Sequence, residues 1–137
     1  MSNLQIIKDF PDDFTFGVAT SSYQIEGNSF GKSGLSHWDN FSKQDGRVFN
    51  NESGNIACAH VINYKDDVKL IADAGFSAYR FSFSWPRILP EGKGTINKEG
   101  ISFYDKLIDE LLENNLKTYS TLYHWDLPEN FMSKGGW

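Results

Sequence analysis

Short strand-like runs alternate with two amphipathic helical stripes along this 137-residue chain, and that order is what most constrains its fold. Residues 14–19 place Phe14, Phe16 and Val18 at period two, the spacing of a strand with one buried face. Residues 61–74 then set Val61, Tyr64, Val68 and Ile71 three and four apart, with Gly75 where a helix commonly ends in the left-handed conformation. Aromatic alternation returns at 77–83, where Tyr79, Phe81 and Phe83 interleave with Arg80, Ser82 and Ser84. After Asn97, a natural N-cap, Ile101, Tyr104, Ile108, Leu111 and Leu112 form a second helical stripe backed by Lys106 and Glu110. A third strand is expected over 117–123, and Pro128 is placed to open a third helix. Strands separated by helices imply parallel βαβ units, because a parallel connection needs the length that a crossover helix supplies. Periodicity leaves a doubly wound sheet and a barrel both open. No Gly-x-Gly-x-x-Gly follows the first strand, which counts against the dinucleotide-binding form of the former.

The intervening segments carry the other signals. Residues 20–60 are rich in Gly, Ser and Asn and read as one long loop, and loops of that length usually serve a site. A second loop, 84–97, carries Pro86, Pro90, Gly92 and Gly94. No repeat or linker divides the chain, so it reads as one unit. Its net charge of -5 and pI near 5.1 offer no basic footprint, which argues against nucleic acid and anionic membranes as partners and favours a neutral small molecule. Residues 1–10 lack the continuous apolar core of a signal peptide, and no apolar run is long enough to span a bilayer. Cys58 is the single cysteine, which rules out an internal disulfide and fits a reducing compartment. A cytoplasmic location is expected.

Recognition chemistry concentrates in Thr121-Leu122-Tyr123-His124-Trp125-Asp126-Leu127-Pro128. A pyranose presents hydroxyls around its rim and an apolar C–H face, so a site for it needs N–H donors beside an aromatic surface. Tyr123, His124 and Trp125 supply both types. The run has two companions, Phe14-Thr15-Phe16-Gly17-Val18-Ala19-Thr20-Ser21-Ser22-Tyr23-Gln24-Ile25-Glu26-Gly27 and Ala78-Tyr79-Arg80-Phe81-Ser82-Phe83-Ser84-Trp85-Pro86-Arg87-Ile88. In this order the three resemble the amino-terminal part of glycoside hydrolase family 1, the β-glucosidase group, and the resemblance runs from Phe10 to Trp137.

That resemblance implies an α/β fold, the amino-terminal portion of a (β/α)8 TIM barrel, with residues 1–137 supplying three of the eight strands and two complete helices. It implies substrate binding by Gln24, His124 and Trp125, each of which has a plainer reading: a loop glutamine bonded to backbone, a satisfied core histidine, a packing tryptophan. Arg80, a charge in mid-strand, calls for a carboxylate partner, and the resemblance implies that this partner is the catalytic nucleophile. Arg87 reads as a loop residue or a structural ion pair, outside the site, and Glu26 as a loop carboxylate to which the resemblance gives no role as acid or nucleophile. Cys58 and His60 are too few to hold a metal, and the second His-Trp-Asp, at His37-Trp38-Asp39, reads as loop packing.

The implied activity is retaining hydrolysis of terminal non-reducing β-D-glucosyl residues from a small-molecule β-glucoside or oligosaccharide, with no cofactor. Retention needs two carboxylates. The family carries them in Asn-Glu-Pro and Glu-Asn-Gly, neither of which occurs here, so both are expected beyond Trp137 and the fragment is expected to be inactive alone. A 6-phospho-β-glycosidase is the rival within the family. Trp125-Asp126 speaks against it, because those enzymes usually carry Phe-Glu after the histidine. A catalytically dead sugar-binding or interaction module is the alternative of another class. The chain departs from the family pattern at Ala59, Val61, Ile62 and Asn63, near the entry of the first long helix, and at Thr118 and Glu129.

Overall fold

Three short parallel strands organise the computed structural model, which describes residues 10–137. The reading of residues 1–10 as lacking a leader falls, Phe10 apart, outside the described residues. Strands Gly17–Ala19 (β1), Ala78–Ser82 (β2) and Lys117–Thr121 (β3) lie in the order β1-β2-β3, with Ala19, Arg80 and Tyr119 in one row across the sheet. The strands are shorter than the aromatic alternation marked. Phe14 and Phe16 precede β1 and pack on each other and on Phe10, with ring centroids 4.5 to 5.1 Å apart. Gly17 allows β1 its approach to β2, since a Cβ there would meet the Ala78 carbonyl oxygen at 2.6 Å.

The segment 20–60 is not one loop. It contains helices Ser22–Ile25 (α1) and His37–Ser42 (α2) and the 3-10 turn Phe49–Asn51. Helices this short have no apolar period to read; α2 is set by a capping box between Ser36 and Asp39 instead. His60–Asp73 (α3) follows, ending before Gly75 at φ +82°. A short helix, Trp85–Ile88 (α4), interrupts the second expected loop, and Lys98–Glu113 (α5) starts at Asn97, whose side chain accepts the Glu99 N–H at 3.2 Å. Glu129–Met132 (α6) closes the order, with Pro128 as its N-cap rather than its first residue.

Helices α3 and α5 cover one face of the sheet. Val68 of α3, Tyr79 and Phe81 of β2, and Phe103, Tyr104, Leu107 and Leu111 of α5 make the buried core. The core stripe of α5 therefore differs from the expected one, since Ile101 and Leu112 are 38% and 60% exposed while Phe103 and Leu107 are buried. The apolar surface of α5 is wider than its contact with β2 and α3, and the contact decides which residues are enclosed. On the opposite face, Ala19, Arg80 and Tyr119 are exposed around an open depression. A parallel sheet with one bare face is unusual unless that face lines a barrel.

Candidate functional site

Three small polar residues tie the carboxyl ends of the strands together. The Ser22 N–H donates to Ser82 Oγ at 2.8 Å, the Ser82 hydroxyl donates to Ser22 Oγ at 3.2 Å, and the Ser22 hydroxyl donates to Asp126 Oδ2 at 2.6 Å. Ser22 follows β1, Ser82 ends β2, and Asp126 lies in the turn after β3. All three are buried. The sequence offered no local sign of this network, because its members stand 60 and 104 residues apart.

The network links the segments that bear the expected sugar contacts. Gln24 is exposed on α1, where it lines a cleft of about 360 Å³ with Tyr23, Trp38, Phe41 and Glu52. His124 is half-buried, with its ring 5.4 Å from that of Trp125. Trp125 is 68% exposed, so packing does not account for its indole, and its backbone takes φ +71°. Tyr123 turns away into a cluster with Trp85 and Trp137, at 6.3 and 5.7 Å between centroids.

Arg80 and Arg87 divide the roles that the sequence raised. Arg80 is exposed on the bare face of β2, and among the described residues no carboxylate lies within ion-pair distance of it. Arg87 is 0% exposed, and each of its three guanidinium nitrogens is engaged: Nε donates to Glu26 Oε2 at 2.7 Å, and the two terminal nitrogens donate to the carbonyls of Phe30 and Gly27 at 2.6 and 3.0 Å. Tyr104 donates to Glu26 Oε1 at 2.7 Å and accepts the Ser84 N–H at 2.7 Å. Burial pushes the Glu26 carboxyl above its ordinary value, against the pull of Arg87 and Tyr104. Burial, reinforced by the charge of Glu26, raises the Tyr104 phenol well above its own. Every polar atom of this cluster is engaged by the protein, which fits Glu26 as a structural residue.

The remaining candidates are structural too. Asp39 accepts the Ser36 N–H at 2.7 Å and the Asn28 side-chain amide at 2.7 Å, while Trp38 packs between Tyr23 and Phe41. His60 is enclosed against Phe103 and Tyr79, with Nδ1 2.7 Å from Asp67 Oδ2, and burial lowers its pKa. Burial pushes the Tyr79 phenol, which shares a 2.6 Å hydrogen bond with Thr20, up to about 12. Cys58 is exposed. Among the described residues no three metal-ligating side chains gather, and no helix is long and apolar enough to cross a membrane.

Residues 6–137 match the family model described as Glycosyl hydrolase family 1, and the chain belongs to that family. It is 50% identical over 132 residues to a 1,4-beta-D-glucan glucohydrolase of Thermotoga neapolitana, covering 96% of this chain and 31% of that protein. Beta-glucosidase 42 of Arabidopsis thaliana is 53% identical, with 94% of this chain and 27% of that protein covered. The structure matches a family 1 b-glucosidase from Thermotoga maritima with a TM-score of 0.89 and 50% identity, covering 93% of this chain and 29% of that one. The same relative has been solved with castanospermine and with noeuromycin. The chain thus spans about 30% of the length of the relatives it matches, and its three-stranded sheet is part of an α/β barrel.

Proposed function

We propose that this chain is the glycon-recognition part of a retaining β-glucosidase. The observation that carries the reading is the Ser22–Ser82–Asp126 network, which joins the segment of Gln24 to that of His124 and Trp125. The Gln24 amide offers a donor and an acceptor to adjacent hydroxyls, His124 offers a ring N–H, and the exposed Trp125 indole offers a surface for the C–H face of a glucosyl ring. Arg80 faces the side that a barrel encloses, and a guanidinium there favours the ionised form of a nearby carboxylate nucleophile. The acid/base and nucleophile, which a retaining mechanism sets about 5 to 5.5 Å apart, are assigned to the part of the relatives' length that this chain does not cover. The isolated chain is then inactive. Trp125-Asp126 favours an unphosphorylated terminal β-D-glucosyl residue, and the lone Cys58 fits a cytoplasmic setting.

The test uses the full-length protein that carries this chain, with aryl β-glucoside and aryl 6-phospho-β-glucoside as substrates. His124→Ala and Gln24→Ala are each expected to lower kcat/KM for the unphosphorylated glucoside by the equivalent of about 1 to 3 kcal/mol. Wild-type kinetics in both variants would return these residues to packing roles. Faster turnover of the phosphorylated substrate would favour the 6-phospho reading.

A further inference from the structure

Asp126 is 1% exposed, and among the described residues it has no cationic partner. Its carboxylate serves two elements instead: Oδ2 accepts the Ser22 hydroxyl at 2.6 Å, and Oδ1 accepts the His124 N–H at 3.4 Å. Between His124 and Asp126 the backbone of Trp125 sits at φ +71°, a conformation that residues with a Cβ hold only when their surroundings impose it. The exposed indole imposes nothing. What clamps the turn is Asp126 on one side and, on the other, the Leu127 carbonyl, which accepts the His37 N–H at 2.9 Å. Strain maintained at an exposed aromatic residue beside a candidate ligand contact is the pattern of a preorganised site.

We propose that Asp126 is a positioning residue of the sugar site, holding His124 and Trp125 in their strained turn and fixing that turn to the end of β1 through Ser22. The proposal rests on the reading of His124 and Trp125 as sugar contacts. Asp126 touches no sugar itself. It acts by setting where two other side chains stand, and a misplacement of about 1 Å can cost about 100-fold in rate.

The experiment again uses the full-length protein. Asp126→Ala is expected to lower kcat/KM for an aryl β-glucoside by about 10- to 100-fold. Asp126→Asn is expected to recover most of that loss, because its carbonyl can accept the His124 N–H while its amide donates to a reoriented Ser22 hydroxyl. In a His124→Ala, Trp125→Ala background, Asp126→Ala should add less than about threefold, since residues acting as a unit are not additive. Hydrogen exchange of the peptide spanning 123–127 should speed up in Asp126→Ala and in Ser22→Ala, with the rest of the protein unchanged. Multiplicative costs in that background, or unchanged exchange in both variants, would overturn the positioning role. If Asp126→Ala fails to fold, Ser22→Ala and Asp126→Asn decide the question. A wild-type protein that turns over no aryl β-glucoside would sink the proposed function instead, and the exchange measurement would still decide whether Asp126 holds the turn.

Discussion

Arg80 and Arg87 carry the same guanidinium on neighbouring stretches of chain and meet opposite fates. Arg87 is sealed beneath the loop after β1, with Glu26 and two carbonyls taking its donors. Arg80 stands on the bare face of β2, exposed and without a carboxylate partner in the described residues. The two His-Trp-Asp triplets repeat the contrast. In α2 the aspartate caps a helix and the tryptophan packs, whereas after β3 the aspartate spans two strand ends and the tryptophan is exposed at positive φ. Arg87, Glu26, Tyr104 and Asp39 have every polar side-chain atom engaged within the fold, whereas the enclosed His60 leaves its Nε2 without a partner among the described residues. The side chains assigned to ligand recognition have no hydrogen-bond partner among the described residues, on a backbone that the fold holds in place.

The contrast is broken most easily at the arginines. Arg87→Ala leaves the Glu26 carboxylate buried without its counter-charge, and should cost about 3 to 5 kcal/mol in urea unfolding of the full-length protein. Arg80→Ala should cost clearly less in the same curves, since among the described residues it makes no ion pair, while kcat/KM for an aryl β-glucoside falls. Equal losses would mean that exposure does not separate the two roles. Next in size, Asp39→Ala removes the capping-box carboxylate and the Asn28 contact and should cost about 1 to 2 kcal/mol, read from the same unfolding curves. Trp125→Gly should leave stability within about 1 kcal/mol of wild type, because glycine adopts φ +71° without strain, while kcat/KM for an aryl β-glucoside falls. A large stability loss there would make Trp125 a packing residue after all.

The smallest effect is a pH dependence set by His60. Burial lowers its pKa from the ordinary 6.5, so near and below that value the unfolded chain binds more protons than the native one. Stability from this group is then full above pH 6.5 and falls on acidification through the window below it. Unfolding of wild type and His60→Gln at a series of pH values should show the slope in the first and its reduction in the second. Identical slopes would remove His60 from the account.

Legibility in the sequence follows the range of each interaction. The helices α3 and α5 and the parallel order of the strands were readable because long apolar periods and an N-cap at Asn97 are local patterns. Helices α1, α2 and α4 were missed because helices of four to six residues leave no period, and caps and distant contacts hold them. Arg87 read as either a loop residue or a structural ion pair, and its partner Glu26 was not legible, since 61 residues separate them. His124 and Trp125 were marked first by an N–H donor beside an aromatic surface in one short run, and the family resemblance added Gln24 and gave all three their sugar-binding role. Ser22, Ser82 and Asp126, which join the strand ends, had no local signal to be named by.

Among the described residues the side chains of Gln24, His124 and Trp125 have no hydrogen-bond partner, and the proposed function gives them a sugar as theirs. A crystal structure of the full-length protein with a bound glucose-configured inhibitor tests this directly. Sugar hydroxyls are expected within hydrogen-bonding distance of the Gln24 amide and the His124 imidazole, with the Trp125 indole against the ring and Asp126 still bonded to Ser22. A sugar bound elsewhere, with those three side chains touching only protein, would contradict it.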